Sequence, residues 1–353
     1  MIRDLEKVEA GSSLPTITPT PTNGKHQDTM KAIVRYEYGS PDVLTLAELA
    51  KPVAKENDVL VRVRASSLNA DDLESLYGKS LMTRIATGLR KPRLHGLGSD
   101  VAGQVEAVGK DVTHLHPGDE VFGNMTEYGL GAFAEYVCAP ARAFALKPAK
   151  MTFEEAATVP QAAILALQGL RGKRRIPPGH KVLINGAGGS VGPFAVQIAK
   201  SFGAEVTGVD STGKLEMLRS IGADHVIDYT REDFTGNRQR YDCILDVVAR
   251  RSMFEIRRAL NPGGVYVMLG ASTERLLQGA LLGPLISKTG NKKMGVSWWW
   301  RPFNQEDVQF LKELIQTGGV APVIDTIYPL SEVPEALRYM EEGHARGKIV
   351  ITV

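Results

Sequence analysis

A glycine-rich segment after a short apolar run constrains this chain more than any other feature. The run Lys181–Asn185 has the composition of a buried strand, and the segment that follows the glycines carries apolar residues at helical spacing. The glycines recur every three residues: Gly186, Gly189 and Gly192. A strand, a turn and a helix in this order present unpaired N–H groups and a partial positive charge at the turn. The order predicts a dinucleotide-binding turn in a parallel sheet.

A carboxylate follows the next predicted strand, as such a turn requires. Asp210 lies 21 residues after Gly189, where an acid accepts hydrogen bonds from the adenosine ribose and favours NAD. The neighbouring Ser211 and Lys214 favour NADP instead, because they can hold a 2′-phosphate. A third interpretation is that Asp210 and Ser211 cap the helix that begins near Lys214. The cofactor is therefore predicted as NADP or NAD.

Strands and helices alternate after residue 181, which predicts an α/β fold with a doubly wound parallel sheet. The six predicted strands are Lys181–Asn185, Glu205–Val209, His225–Asp228, Tyr241–Val247, Gly264–Leu269 and Met294–Trp299. Residues 31–144 have short strands with turn residues between them, which predicts a separate β-barrel domain. Two helices, Gln305–Thr317 and Glu332–Glu342, and a strand, Lys348–Val353, end the chain, and their pattern assigns them to neither domain.

Composition excludes several classes of function. The formal net charge is +2, with 42 basic and 40 acidic residues scattered along the chain, so no nucleic-acid partner is expected. Cys138 and Cys243 lie in separate apolar runs, which fits a reducing compartment, and we expect the cytoplasm. The apolar run Leu276–Ile286 is too short for a transmembrane segment. Residues 1–29 are rich in Ser, Thr and Pro, which predicts a mobile tail.

Further motifs make the chain resemble the medium-chain dehydrogenase/reductase superfamily from Met30 to Val353. They are Ala65-Ser-Ser-Leu-Asn-Ala-Asp-Asp, Gly98-Ser-Asp-Val-Ala-Gly, Pro117-Gly-Asp-Glu-Val-Phe-Gly, Gly222-Ala-Asp-His-Val-Ile-Asp-Tyr and Gly347-Lys-Ile-Val. The resemblance implies a GroES-like β-barrel substrate domain over residues 30–152 and a Rossmann domain over 153–300. It also implies that residues 301–353 return to the first domain, and we expect a homodimer.

The resemblance also bears on metal binding. Alcohol dehydrogenases of the superfamily hold catalytic zinc with a Cys where this chain has Leu68, Asn69 and Ala70, and with a His-Glu pair where it has Ser99 and Asp100. These positions lack the Cys and His side chains that bind zinc in such sites, so no metal is expected. The zinc-independent quinone-oxidoreductase-like branch then implies hydride transfer from nicotinamide C4 to a small hydrophobic carbonyl acceptor. That acceptor is an enone, an enal or a quinone.

Two other functions stay open at this point. A metal-free alcohol dehydrogenase is one, although it lacks the group that polarises an alcohol oxygen. The other is a cofactor-binding protein with a structural or interaction role and no turnover. Two apolar segments, Ser80–His95 and Leu276–Ile286, line the acceptor entrance in the enzyme interpretation. Alternatively they dock a partner subunit or a membrane surface.

Three residues are the catalytic candidates. The resemblance places Asn69 at the cleft floor, to bond the nicotinamide ribose or the acceptor carbonyl, with a turn residue as the alternative. Asp72 matches a family aspartate, with a helix cap as the alternative. Many relatives carry a tyrosine two residues further on, where this chain has Glu74. The nearest phenol, Tyr77, is therefore the candidate proton donor, with water as the alternative.

The predicted cofactor contacts follow the ends of successive strands. Trp298 is placed beside the nicotinamide, with a core or interface position as the alternative, and Lys348 matches a family lysine near the cofactor. The full predicted set is Gly186, Gly189, Ser190, Val191, Gly192, Asp210, Ser211, Lys214, Tyr229, Val247, Val248, Leu269, Gly270, Ala271, Trp298 and Lys348.

Overall fold

The computed structural model describes residues 28–171, 176–288, 291–296, 301 and 303–353. The strands are β1 Thr29–Val34, β2 Thr45–Ala50, β3 Asp58–Ser67, β4 Asp100–Val108, β5 Glu120–Asn124, β6 Tyr136–Pro140, β7 Phe144–Leu146, β8 Lys181–Asn185, β9 Glu205–Asp210, β10 His225–Asp228, β11 Tyr241–Asp246, β12 Leu260–Met268, β13 Lys293–Val296, β14 Ile324–Pro329 and β15 Lys348–Thr352. The helices are α1 Ala70–Tyr77, α2 Leu81–Thr87, α3 Phe153–Ala157, α4 Ala162–Arg171, α5 Gly192–Ser201, α6 Leu215–Ser220, α7 Met253–Ala259, α8 Thr273–Lys288, α9 Gln305–Gln316 and α10 Val333–Glu341.

A six-stranded parallel sheet in the order β10-β9-β8-β11-β12-β13 confirms the predicted doubly wound fold. The strand order reverses between β8 and β11, and sheets of this kind bind ligands outside the carboxyl ends of the strands at that point. The sixth predicted strand, Met294–Trp299, is observed as Lys293–Val296. Residues 297–300 lie outside the described residues.

Both faces of this sheet are covered, because its strands carry apolar residues at successive positions. On β8, Val182 and Ile184 pack on one side in a cluster that includes Ile198 of α5. Leu183, between them, packs on the other side with Ile256 of α7. Each of these side chains is buried, which contributes about 1.5–3 kcal/mol of stabilisation per residue. The rigid sheet fixes the position of the glycine-rich turn at the end of β8.

The second large sheet holds seven strands, in the order β14-β15-β3-β4-β5-β7, and β6 also pairs with β3. Strand β15 runs antiparallel to β3, with Val350 opposite Ser67. The end of the chain, which the sequence pattern assigned to neither half, thus lies beside a strand of the first half. This pairing brings Lys348, the first residue of β15, next to the segment that follows β3.

Two further observations concern the N-terminal segment and the apolar run Leu276–Ile286. Strand β1 begins at Thr29, inside the predicted tail, while residues 1–27 lie outside the described part of the chain. The run Leu276–Ile286 belongs to α8, and no helix among the described residues combines the length and apolarity that a membrane span needs.

Candidate active site

The glycine-rich turn joins β8 to α5 at the carboxyl edge of the parallel sheet. Gly186 has φ +80°, which favours glycine, and a Cβ there would lie 2.7 Å from Val248 Cγ2. A Cβ on Gly192 would lie 2.2 Å from the carbonyl oxygen of Ala187, so this glycine lets the helix approach the turn. A Cβ on Gly189, in contrast, would have no atom nearer than 3.8 Å. Gly189 therefore faces open space.

Backbone donors face the same opening. Within the described residues, the amides of Ser190 and Val191 donate to no protein acceptor, and α5 begins at the next residue, Gly192. Unpaired amides at the positive end of a helix dipole are the groups that bind a pyrophosphate. Together with the space over Gly189, they fit the phosphates of a dinucleotide.

The loops after β11 and β12 lie against this turn. Gly270 allows a close approach, since its Cβ would lie 2.2 Å from the carbonyl oxygen of Val247. The amide of Ala249 donates to the Gly270 oxygen at 2.9 Å. Val248 packs on Gly186 and is 42% exposed. The structure thus brings a set of predicted contacts together along one edge: Gly186, Val247, Val248, Leu269, Gly270 and Ala271.

The carboxylate of Asp210 turns inward. One oxygen accepts the amide of Gly188 at 2.7 Å and the other accepts the amide of Ser211 at 2.9 Å, and the residue is 7% exposed. The Lys214 ammonium lies 3.8 Å from Asp210 and donates to the Gly343 oxygen at 3.0 Å. Asp210 therefore holds the glycine turn against the end of β9 in this conformation.

Two other predicted contacts, Ser211 and Tyr229, lie near Asp210 and keep contact with solvent. Ser211 precedes a 3₁₀ turn over Thr212–Lys214, and its side chain makes no capping hydrogen bond to it. Tyr229 follows β10, donates its amide to the Asp210 carbonyl oxygen at 3.1 Å and is 52% exposed. Both predicted contacts thus lie at the same strand ends as Asp210.

A buried polar cluster lies where the segment after β3 meets β15. Lys348 is 1% exposed, and its ammonium donates to the Leu68 carbonyl oxygen at 2.8 Å and to Asn69 Oδ1 at 2.7 Å. It lies 3.7 Å from the Asp100 carboxylate, which also accepts from Asn69 Nδ2 at 2.9 Å. Burial lowers the pKa of Lys348 and raises the pKa of Asp100. The cluster fixes the amide orientation of Asn69.

Asp72 supports the same cluster from helix α1. Its carboxylate accepts the amide of Asn69 at 2.8 Å and the amide of Gly98 at 3.1 Å. Burial raises the pKa of Asp72 to about 7, against the lowering effect of the Asn69 hydrogen bond. The structure therefore shows the helix-capping interaction that was the alternative for this residue.

A hydrogen-bond chain leads from the cluster to the surface. Asn69 Nδ2 donates to Ser99 Oγ at 3.2 Å, and Ser99 donates to Gln161 Oε1 at 2.9 Å. Gln161 Nε2 donates to the Asp71 carboxylate at 2.7 Å. Asp71 is an exposed residue, yet the protein around its carboxyl group raises its pKa. This series of hydrogen bonds was not predicted from the sequence.

A signal for the missed residues was present in the sequence. Asp100 and Ser99 stand at the start of an apolar strand, and both are buried, as is Asn124, whose amide donates to Asp100 at 2.9 Å. A charged residue inside a buried strand requires a partner. From the sequence, Ser99 and Asp100 were considered only as residues that do not bind zinc.

The predictions for Tyr77, Lys348 and Trp298 have different outcomes. Tyr77 ends α1, about 12 Å along the axis from Asn69, where Lys79 lies 4.1 Å from its ring centroid and Glu341 raises its pKa. It is therefore not placed to act as the proton donor of this cluster. Lys348, predicted as a cofactor contact, lies in the buried cluster beside Leu68 and Asn69. Trp298 lies outside the described residues.

Known proteins are similar to this chain in sequence and in fold. A family model described as the alcohol dehydrogenase GroES-like domain matches residues 55–149, and one described as a zinc-binding dehydrogenase matches residues 221–351. The chain is 35% identical to 2-methylene-furan-3-one reductase of Solanum lycopersicum, over 97% of this chain and 84% of that protein. It is 36% identical to the chloroplastic NADPH-dependent alkenal/one oxidoreductase of Arabidopsis thaliana, over 91% and 79%.

A solved structure agrees with these relatives. The quinone oxidoreductase from Coxiella burnetii superposes with a TM-score of 0.82 at 29% identity, covering 92% of this chain and 100% of that one. The chain belongs to the medium-chain dehydrogenase/reductase superfamily. Within it, the chain falls in the zinc-independent quinone-oxidoreductase-like branch.

This medium-chain dehydrogenase/reductase departs from the description of its second family model. Over the part of the chain that the structure describes, no three His, Cys, Asp or Glu side chains are grouped to hold a metal ion. Where the resemblance places the zinc ligands of alcohol dehydrogenases, Asn69 donates to Ser99 and Asp100 and accepts from Lys348. An ammonium group thus stands at the centre of the cluster.

Proposed function

We propose that this enzyme transfers a hydride from NADPH or NADH to the β-carbon of an enone or enal, or to a quinone. The observation that carries the proposal is the pairing of an open dinucleotide turn at Gly189 with a polar cluster built on Lys348 instead of metal ligands. The two relatives named as a furanone reductase and an alkenal/one oxidoreductase support this acceptor class. Bound nicotinamide supplies the hydride.

The chain's own residues supply position and charge. Asn69 is held in one orientation because its Oδ1 accepts from Lys348 and its Nδ2 donates to Ser99 and Asp100, which uses both amide hydrogens. We propose that the cluster acts by fixing the segment after β3, which carries Asn69 and Asp71, in one position. Asp71 ends the hydrogen-bond chain at the surface, where an exposed carboxyl group can exchange a proton with solvent. We propose Asp71 in place of Tyr77 as the donor to the substrate α-carbon.

The conformation of Asp210 favours NADPH over NADH. Each of its oxygens accepts a backbone amide and the residue is 7% exposed, so the carboxylate presents little surface to a ribose hydroxyl in this conformation. Lys214 and Ser211 lie beside it, and a guanidinium nitrogen of Arg346 lies 3.9 Å from the Cβ position of Gly213. Two cations at one turn complement a 2′-phosphate. Lys214→Ala should weaken NADPH binding about tenfold, as expected for one lost charge-assisted contact, and leave NADH binding unchanged.

The test of the activity is oxidation of each reduced cofactor, followed by absorbance. Purified protein is incubated with NADPH, and separately with NADH, against enals, enones, quinones and simple carbonyl compounds. We expect oxidation with the conjugated acceptors, and a chelator should not change the rate. Cofactor binding without oxidation of any acceptor would contradict the enzyme and favour a structural role. Loss of activity with the chelator would contradict the zinc-independent mechanism.

The quaternary state and location are also proposals. We propose a homodimer in the cytoplasm, as the sequence predicts, although the Arabidopsis relative is chloroplastic. Light scattering during gel filtration measures the first and subcellular fractionation the second. A monomeric mass, or recovery of the protein within an organelle, would contradict the respective proposal.

A further inference from the structure

Helix α7 presents an aromatic side chain and two cations on its outward face. Met253, Ile256 and Ala259 are its buried residues. Phe254 is 60% exposed, and Arg257 and Arg258 follow it at three- and four-residue spacing on the same side. This face is therefore not used by the core of the protein.

Helix α8, on the same side of the parallel sheet, adds a stripe of exposed leucines. Leu277, Leu281 and Leu285 are 60%, 62% and 59% exposed and recur every four residues. The other side of the helix packs on β13, where a Cβ on Gly283 would lie 2.7 Å from the Met294 oxygen. The leucines thus point away from the sheet, and no other part of the described chain covers them.

Cations gather where these helices end. Arg257 and Arg258 precede β12, Lys292 and Lys293 flank the start of β13, and Arg240 precedes β11. Because the three strands are neighbours and parallel, their amino ends lie along one edge of the sheet. That edge is opposite the carboxyl edge that carries the glycine-rich turn.

The cations of this edge form no salt bridges in the described part of the chain, although Asp233 lies close enough to Arg258 to feel its charge. Within the described residues, none of these five side chains forms an ion pair with an acid. The Lys292 ammonium donates to the Arg257 carbonyl oxygen at 2.8 Å. Burial, and then the charges of Arg257 and Arg240, lower the pKa of Lys292. Phe254, Arg257, Arg258 and Lys292 line one shallow cavity of about 390 Å³.

We propose that this surface, defined by Phe254, Arg257, Arg258, Leu277, Leu281 and Leu285, docks on an anionic phospholipid bilayer. Exposed leucine and phenylalanine side chains gain free energy in the acyl boundary of a membrane. The unpaired cations complement anionic headgroups, each strengthening binding near the surface. A nucleic acid would match the cations and leave the leucines in water. The stripe runs along α8 from the carboxyl end of β12 toward the amino end of β13, so Leu285 lies nearest the cations.

The test is co-sedimentation of the full chain with vesicles. One set is phosphatidylcholine alone, and the other contains phosphatidylcholine and phosphatidylglycerol in equal amounts. We expect binding to the anionic vesicles only, and weaker binding as salt screens the cations. Binding to both sets alike, or to neither, would overturn the proposal.

Three variants separate the contributions. Arg257→Glu/Arg258→Glu should reduce partition about tenfold or more, since each cation near an anionic surface contributes severalfold. Leu277→Gln/Leu281→Gln should reduce it severalfold. The matched control, Lys150→Glu/Arg219→Glu, makes the same charge change at exposed residues elsewhere and should bind like the unmodified protein. Thermal unfolding midpoints confirm that each variant is folded.

Other occupants of the surface give distinct results. If the leucine variant dissociates a dimer and still binds vesicles like the unmodified protein, the stripe is a subunit contact and the proposal is wrong. Retention on heparin without vesicle binding would identify a polyanion site and also overturn it. A charge-reversal variant that binds anionic vesicles as tightly as the control would do the same.

Discussion

The glycine-rich turn and the buried polar cluster differ in whether their polar groups already have hydrogen-bond partners within the protein. At the turn, the amides of Ser190 and Val191 have no acceptor in the described protein, and Gly189 faces open space. In the cluster, Lys348, Asn69 and Asp100 bond one another away from water. The turn is incomplete without a ligand, whereas the cluster is complete without one.

The difference assigns a different task to each region. Unpaired donors at a helix N-terminus bind an anion directly. Side chains that are already bonded and buried keep one geometry, and such a region positions groups at its margin. We therefore propose that the turn holds the cofactor, whereas the cluster holds Asn69 and, through Ser99 and Gln161, the Asp71 carboxyl group.

The largest effect is expected from removing the charge at the centre of the cluster. Lys348→Met leaves the carboxylate of Asp100 buried without its cation, which should lower the free energy of unfolding by about 3–5 kcal/mol. Chemical denaturation followed by circular dichroism measures this change. The double variant Lys348→Met/Asp100→Asn should recover much of the loss. A single-variant cost near zero would show that Asp100 is protonated and that the cluster is not ionic.

The second effect is on the pH dependence of stability. Burial raises the folded-state pKa of Asp72 to about 7, while the unfolded chain releases this proton near pH 4. The folded state therefore binds more protons across this window, so stability falls as pH rises, by up to about 1.4 kcal/mol per pH unit. Asp72→Asn should flatten the slope between pH 4 and pH 7, measured by denaturation at each pH.

Asp224, whose pKa is shifted in the opposite direction, is the control for this pH dependence. Asp224 has a lowered pKa because Lys200 and the Val206 amide bond it, although burial opposes the shift. Its stabilisation is present above its unfolded pKa and is lost as pH falls below about 4. Asp224→Asn should leave the slope between pH 4 and 7 unchanged. An unaltered slope in Asp72→Asn would mean that Asp72 ionises in the folded protein near its ordinary pKa.

The smallest effect is at the turn and is confined to ligand binding. Gly189→Ala adds a methyl group to the open space, so NADPH affinity should fall about tenfold, or about 1.4 kcal/mol, with no change in thermal midpoint. Fluorescence titration of NADPH measures the affinity. Gly192→Ala, whose Cβ would lie 2.2 Å from the Ala187 oxygen, should lower both affinity and thermal midpoint. Normal NADPH binding by Gly189→Ala would place the phosphates elsewhere.

Sequence reasoning succeeded where the structure is local and periodic. The glycine spacing and the apolar runs predicted the strands of the parallel sheet, because each of these signals lies within a few residues. The buried cluster has no such signal, since Lys348 bonds Asn69 across 279 residues. Likewise, Asp210 was predicted from its position at the end of β9. The direction of its carboxylate depends on Gly188, which only the folded turn brings within reach.

The carbon atom that receives the hydride is the most direct test of the proposed reaction. The enzyme is supplied with NADPH carrying deuterium at nicotinamide C4 and with an α,β-unsaturated ketone, and the product is analysed by nuclear magnetic resonance. The account predicts a saturated ketone with deuterium on the β-carbon. Deuterium on the carbonyl carbon of an allylic alcohol would contradict it.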